Sequence, residues 1–242
     1  MTSLERRTHC LLQKGFSLIE LAIVLVVVAL LMGGLLVPLT MQIEQQKTRE
    51  TQKAMEEIKE ALMGYALAKG YFPCPAVSAT NGTEDRAAIP ATTCNKRVGF
   101  IPWAELGVAK SDAWGRLFRY SVTPAFSDSG TKFSLVSTGD IVIKATTSDV
   151  NNIASAIPAV VMSHGKNGYL GTTEENTGIA NLSTTNTEEL TNAPPSVGAL
   201  FVSKVIVENT VATGGDYDDL VTWISPNILF NRMVTAQKLP LP

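Results

Sequence analysis

The chain runs to 242 residues, with 22 acidic against 20 basic side chains and a net charge of −2. It lacks the basic excess through which nucleic-acid binders neutralise phosphates, so no nucleic-acid partner is expected. Hydrophobic residues make up 45% of it. Part of that share is concentrated near the N-terminus, which leaves an ordinary globular composition for one or two compact units.

The first stretch sets the frame. Arg6, Arg7 and Lys14 stand against the single acid Glu5, and the junction Lys14-Gly15-Phe16-Ser17-Leu18-Ile19-Glu20 follows. Residues 21–43, 23 in all, then carry no charge. As a helix they would extend about 34 Å, enough to cross a hydrocarbon core of about 30 Å. The basic start predicts a cytoplasmic N-terminus. Glu20 stands one step from the apolar run. A carboxylate inside a span costs about 2.5 to 3.5 kcal/mol, so such a residue calls for a partner. A secretory signal needs small residues at a cleavage site after the run, and Met32-Gly33-Gly34 is a poor candidate. A plain anchor suits the length but explains neither Glu20 nor the Lys-Gly-Phe junction.

Gly15-Phe16-Ser17-Leu18-Ile19-Glu20 resembles, without a gap, the N-terminus of type IV prepilins and type II secretion pseudopilins. In that family a short basic leader ends in Gly, followed by Phe and a Thr/Ser-Leu-Ile-Glu run that opens a long apolar helix. The resemblance implies that a membrane-embedded prepilin peptidase cuts between Gly15 and Phe16 and methylates the new amine of Phe16. Glu20 then becomes the fifth mature residue and meets the N-terminal amine of a neighbouring subunit during assembly. An ammonium beside a carboxylate in low dielectric offsets the desolvation cost of both.

Within the run, Gly33, Gly34 and Pro38 interrupt an otherwise continuous helix former. Pro38 removes one backbone hydrogen bond, and each glycine costs about 1 kcal/mol relative to alanine. The resemblance implies a segment that extends when subunits pack, and a harmless kink is the alternative. From residue 44 to 69 the pattern turns amphipathic, with Met55, Ile58, Leu62, Tyr65 and Ala66 at three- and four-residue spacing and Gly70 as C-cap. One helix of about 55 residues, roughly 80 Å, is predicted, half in lipid and half laid on a sheet.

Of the three cysteines, Cys10 leaves with the leader, so Cys74 and Cys94 remain. In an extracytoplasmic domain an even pair predicts a disulfide, and closing such a loop is worth about 3 kcal/mol. Residues 98–107 read as a turn-rich packing segment. Asp112-Ala113-Trp114-Gly115 leads into an aromatic strand with Leu117, Arg119 and Ser121 on one face and Phe118, Tyr120 and Val122 on the other. It resembles the Asp-Pro-Trp-Gly stretch of major pseudopilins, with Ala113 in the place of Pro. Strands are further predicted over residues 132–138, 140–145, 157–162 and 200–208.

The loop Ser163-His164-Gly165-Lys166-Asn167-Gly168 lacks phosphate-loop spacing, and His164 has no second histidine beyond the leader's. It reads as a glycine-rich turn with a locally packed His, and no catalytic residue is assigned. Residues 172–196 read as a mobile, exposed loop. Gly214-Gly215-Asp216-Tyr217-Asp218-Asp219 places three carboxylates within four residues, a pattern suited to a hard cation. It is similar to the acidic loop before a Trp in major pseudopilins, which implies calcium at Asp216, Asp218 and Asp219. An exposed acidic turn, with Asp219 capping the strand through Trp223, is the alternative. Ser225 and Pro226 open a short helix.

Together these readings predict an α+β, pilin-like fold: a long N-terminal helix, half transmembrane, on an antiparallel sheet with an elaborated C-terminal region. The expected segments are a cleaved leader (1–15), a transmembrane and filament-assembly helix (16–41) and a periplasmic head (42–242). The expected function is structural, a minor subunit of a type IV pilus or type II secretion pseudopilus. It would wait in the bacterial inner membrane with its N-terminus in the cytoplasm and its head in the periplasm. Its partners would be prepilin peptidase, other pilin or pseudopilin subunits, the inner-membrane assembly platform and the membrane itself. No cofactor beyond calcium is expected. A membrane-tethered binding or enzymatic domain, or a pilus-tip adhesin head, are the alternatives.

Overall fold

A computed structural model describes residues 17–193, 198–207 and 214–239, without the side chains of 32–38. Cys10, Gly15 and Phe16 lie outside the described residues. The chain divides into two compact units, residues 1–46 and 47–242.

Helix α1, Leu18–Lys69, is one element of 52 residues. It runs helically through Gly33, Gly34 and Pro38. In the first unit, residues 17–31 are all exposed, including Leu18, Leu25 and Leu30. Among the described residues, no helix is long and apolar enough to cross a membrane.

In the second unit α1 is amphipathic as its spacing predicts. Met55, Ile58, Leu62 and Ala66 are buried, with Met63 beside them, while Tyr65 is half-buried. Gly70 ends the helix in the left-handed region (φ +83°), its N–H donating to the Ala66 carbonyl at 2.8 Å. A side chain would be strained there, which is why glycine serves as this cap.

The remaining elements are β1 (Val98–Phe100), α2 (Trp103–Leu106), β2 (Arg119–Val122), α3 (Pro124–Ser127), β3 (Ile141–Lys144), β4 (Ala154–Ile157), β5 (Ala159–Ser163), α4 (Thr187–Asn192), β6 (Leu200–Val202), β7 (Leu220–Trp223) and α5 (Pro226–Thr235). Strands β1, β2, β5 and β7 pair in that order, each antiparallel to its neighbour. A second sheet has the order β4-β3-β6, with β3 and β6 parallel. The architecture is α+β, an N-terminal helix packed on an antiparallel sheet.

Alternation along β5 explains the layering. Ala159 and Val161 face a core made by α1, α5 and the aromatics, whereas Val160 and Met162 face Ile141, Ile143, Ile157 and Phe201 of the second sheet. A strand covered on both faces reads as a continuous apolar run, which is what residues 159–162 show. On β2 and the residue before it, Phe118, Tyr120 and Val122 join the α1 core as predicted. Ser121, on the other face, donates to the Gly198 carbonyl at 2.8 Å.

Four expectations need correction. Residues 132–138 form no strand: Lys132 has φ +54°, and Ser134 and Ser137 bond each other in a turn. The apparent alternation there is a single anchor. Phe133 inserts among Phe72, Phe126 and Phe230, and Val136 is 89% exposed. The stretch 157–162 belongs to two strands in two sheets, because Pro158 has no N–H for a ladder. Of the strand expected over 200–208, β6 ends at Val202, Val207 makes an isolated antiparallel bridge with Tyr217, and Glu208 lies outside the described residues. The turn-rich segment 98–107 contains β1, which extends the main sheet, and the short helix α2.

Candidate functional site

At the start of α1, Ser17 and Glu20 form a reciprocal capping box. The Ser17 N–H donates to Glu20 Oε2 at 2.9 Å, and the Glu20 N–H donates to Ser17 Oγ at 3.2 Å. Each side chain satisfies a donor that the first turn leaves free. Glu20 lies on the exposed apolar surface of residues 17–31. Exposed apolar area of that extent marks a protein or membrane contact in most proteins.

The second constellation lies in the other unit. Asp218 and Asp219 immediately precede β7, and Glu189 stands in the first turn of α4. One carboxylate oxygen from each lies within 4.8 Å of the others, and all three residues are buried. Glu189 Oε1 accepts from Asn167 Nδ2 and from the Asp218 N–H, 3.0 Å each, and Oε2 accepts from Asn186 Nδ2 at 2.7 Å. Asp218 Oδ2 accepts from the Asn167 N–H at 2.6 Å, and Asp219 Oδ2 from Asn192 Nδ2 at 2.9 Å. The Oδ1 atoms of Asp218 and Asp219 have no hydrogen-bond partner. Burial pushes the Asp218 carboxyl up to about 8, with the neighbouring Glu189 and Asp219 charges adding to it. Burial, then the charge of Asp219, raises Glu189 in the same direction. Three carboxylates this close and dry hold all their charges only with a cation among them.

Of the three aspartates that the sequence singles out, the structure brings Asp218 and Asp219 together and leaves Asp216, which is partly exposed, outside the group. The expectation for 172–196 is corrected, since this stretch contains α4 and buries Asn186, Glu188, Glu189 and Asn192. Sequence reasoning missed Glu189 because a run of Thr, Asn and Glu looks solvated. The signal was present: Asn186-Thr187-Glu188-Glu189 has an N-cap residue with Glu three positions on. The neighbouring Glu188 pairs with Lys204, whose ammonium lies 5.1 Å from the centre of the Tyr217 ring.

The Asp112 turn serves the scaffold. Its Oδ1 accepts from the N–H groups of Trp114 and Arg116, 2.9 Å each, and Oδ2 accepts from Ser163 Oγ at 2.6 Å. The Ala113 N–H reaches Thr51 Oγ1 on α1 at 3.2 Å, which ties the turn to the helix. Cys74 and Cys94 form a disulfide with their Cα atoms 5.3 Å apart. Ser225 stands at the N-cap of α5 with Pro226 behind it, but its hydroxyl makes no capping bond.

Residues 11–36 match a family model described as the prokaryotic N-terminal methylation motif, the prepilin-type cleavage and methylation segment of type IV pilins and pseudopilins. The match covers the junction around Gly15 and Phe16, the capping box and the first turns of α1. No curated protein and no solved structure matches the chain. The motif supports a type IV pilin-like or pseudopilin-type substrate of prepilin peptidase that assembles with other pilin subunits.

Proposed function

We propose that this chain is a structural, minor subunit of a type IV pilus or type II secretion pseudopilus. It is held in the inner membrane by residues 16–41 until prepilin peptidase cuts after Gly15 and methylates Phe16. The observation that carries the reading is the methylation motif at residues 11–36 running directly into a helix whose residues 17–31 are apolar and exposed. Such a surface is stable only in lipid or against other helices, and a filament subunit meets both in turn. Glu20 is the residue that selects between them. In the single chain its carboxylate is held by the Ser17 N–H, and in the filament it pairs with the Phe16 amine of a neighbour.

Filaments sheared from cells that express the chain with its assembly machinery test the proposal. The wild type should be recovered in the sheared fraction, and Glu20→Ala should remain in the membrane fraction, cleaved but at least tenfold depleted from filaments. Equal recovery of both proteins, or recovery of neither, would count against it.

A further inference from the structure

Among the described residues, β7 is the sheet edge left open. Its pairing with β5 is antiparallel, so successive residues turn their backbone groups to opposite sides. The Ile224 N–H donates to the Ala159 carbonyl at 3.0 Å, and Leu220 and Thr222, in step with Ile224, face β5 as well. Val221 and Trp223 turn theirs the other way, where no strand pairs with them. The other edges are closed. On β1 the Phe100 carbonyl accepts from the Ala76 N–H at 2.9 Å. On β6 the Asn192 amide accepts from the Val202 N–H at 2.7 Å and donates to its carbonyl at 3.1 Å. Strand β4 is kinked at Ala156, which has φ +56°. Folds close their sheet edges because an open one accepts another chain.

The open edge forms the floor of a slot. Leu220 and Ile224 pack toward the α1 core, whereas Val221 and Trp223 pack toward the second sheet. Two adjoining hollows of about 590 and 450 Å3 follow β7, with Glu56 of α1 and Ser203, which follows β6, lining both. Ile228 of α5, 55% exposed, borders the larger one. A strand laid along the four residues of β7, about 13 Å, would extend the main sheet between the same two layers as β5. Charge and burial say what it carries. In the larger hollow Lys59 pairs with Glu56 at 2.9 Å and Arg232 with Glu60 at 2.6 Å, and in the smaller Lys204 pairs with Glu188. These pairs leave no net charge for a charged guest, and a strand covered on both faces is apolar.

We infer that the free edge of β7 receives one extended strand of uncharged residues from another polypeptide, hydrogen-bonded to the backbone of Val221 and Trp223. In such strand addition the backbone bonds supply affinity, and side chains in the flanking hollows supply selection. The site goes beyond the filament reading and holds equally for a chain that never enters a filament.

The test uses the full chain in detergent micelles and a capped synthetic peptide of alternating valine and threonine. Saturable binding is expected, with amide hydrogen exchange at Val221 and Trp223 slowed at least tenfold and exchange at Thr222, already paired with β5, slowed far less. A fully N-methylated peptide, which has no backbone donors, should bind at least tenfold more weakly, and so should a peptide with lysine at its centre. Val221→Pro removes an outward N–H without touching the β5 ladder and should weaken binding at least tenfold. The N-methylated peptide makes the same test on the wild type. Absence of saturable binding, equal binding of the methylated peptide, or binding without protection of Val221 and Trp223 would overturn the site. Equal binding of the lysine peptide would overturn the uncharged occupant.

Discussion

Asp140 illustrates how single residues hold the two sheets in register. Its carboxylate receives both terminal nitrogens of Arg97, at 2.6 and 2.7 Å, and the Thr123 hydroxyl at 2.7 Å. Partial burial alone would raise this carboxyl, but the Arg97 and Thr123 hydrogen bonds outweigh it and the net direction is down. A lowered folded-state value contributes stability above the ordinary aspartate range of about 4, and that stability is lost as pH falls through the folded value. The side chain is 47% exposed, so solvent screening limits the pair to about 1 kcal/mol. Asp140→Asn should therefore lower the urea midpoint at pH 7 and leave it unchanged near pH 2, measured by circular dichroism. At this scale the sequence was partly legible. Asp218 and Asp219 stood out because charge beside glycine is conspicuous, while Glu189 did not. Its place beside them arises from segments that meet only after folding, and no local pattern records such a meeting.

Element-scale patterns were read best where one periodicity meets one buried face. The stripe Met55, Ile58, Leu62 and Ala66 was legible because α1 buries one side and exposes the other. Leu62 is wholly buried in the core with Phe118 and Val161. Leu62→Ala should cost about 2 to 5 kcal/mol, the range for a large-to-small change in a tight core, seen as a lowered denaturant midpoint with an unchanged slope. Strands were less legible, because β5 is buried on both faces and shows no alternation, while the false strand at 132–138 alternates by accident around Phe133. The Cys74–Cys94 bridge was legible from counting alone. It closes a segment of 20 residues, worth about 3 kcal/mol by loop entropy. Reduction with a membrane-compatible thiol should lower the melting temperature of the head by several degrees, and Cys74→Ser should do the same without further loss on reduction.

At the scale of the whole molecule, the N-terminal motif and the head carry different kinds of information. The motif is short and chemically specific, because a peptidase must read it, so it stands in the sequence without help from the fold. The head is specified by long-range pairings, among them the parallel contact of β3 with β6 across more than 50 residues, and such pairings leave little trace in any local window. The measurement that tests the account most directly is intact mass with N-terminal sequencing of the full chain, extracted from membranes with and without an active prepilin peptidase. A chain that begins at N-methylated Phe16 only when the peptidase is active is the predicted result. A chain that still begins at Met1 beside an active peptidase would contradict the account.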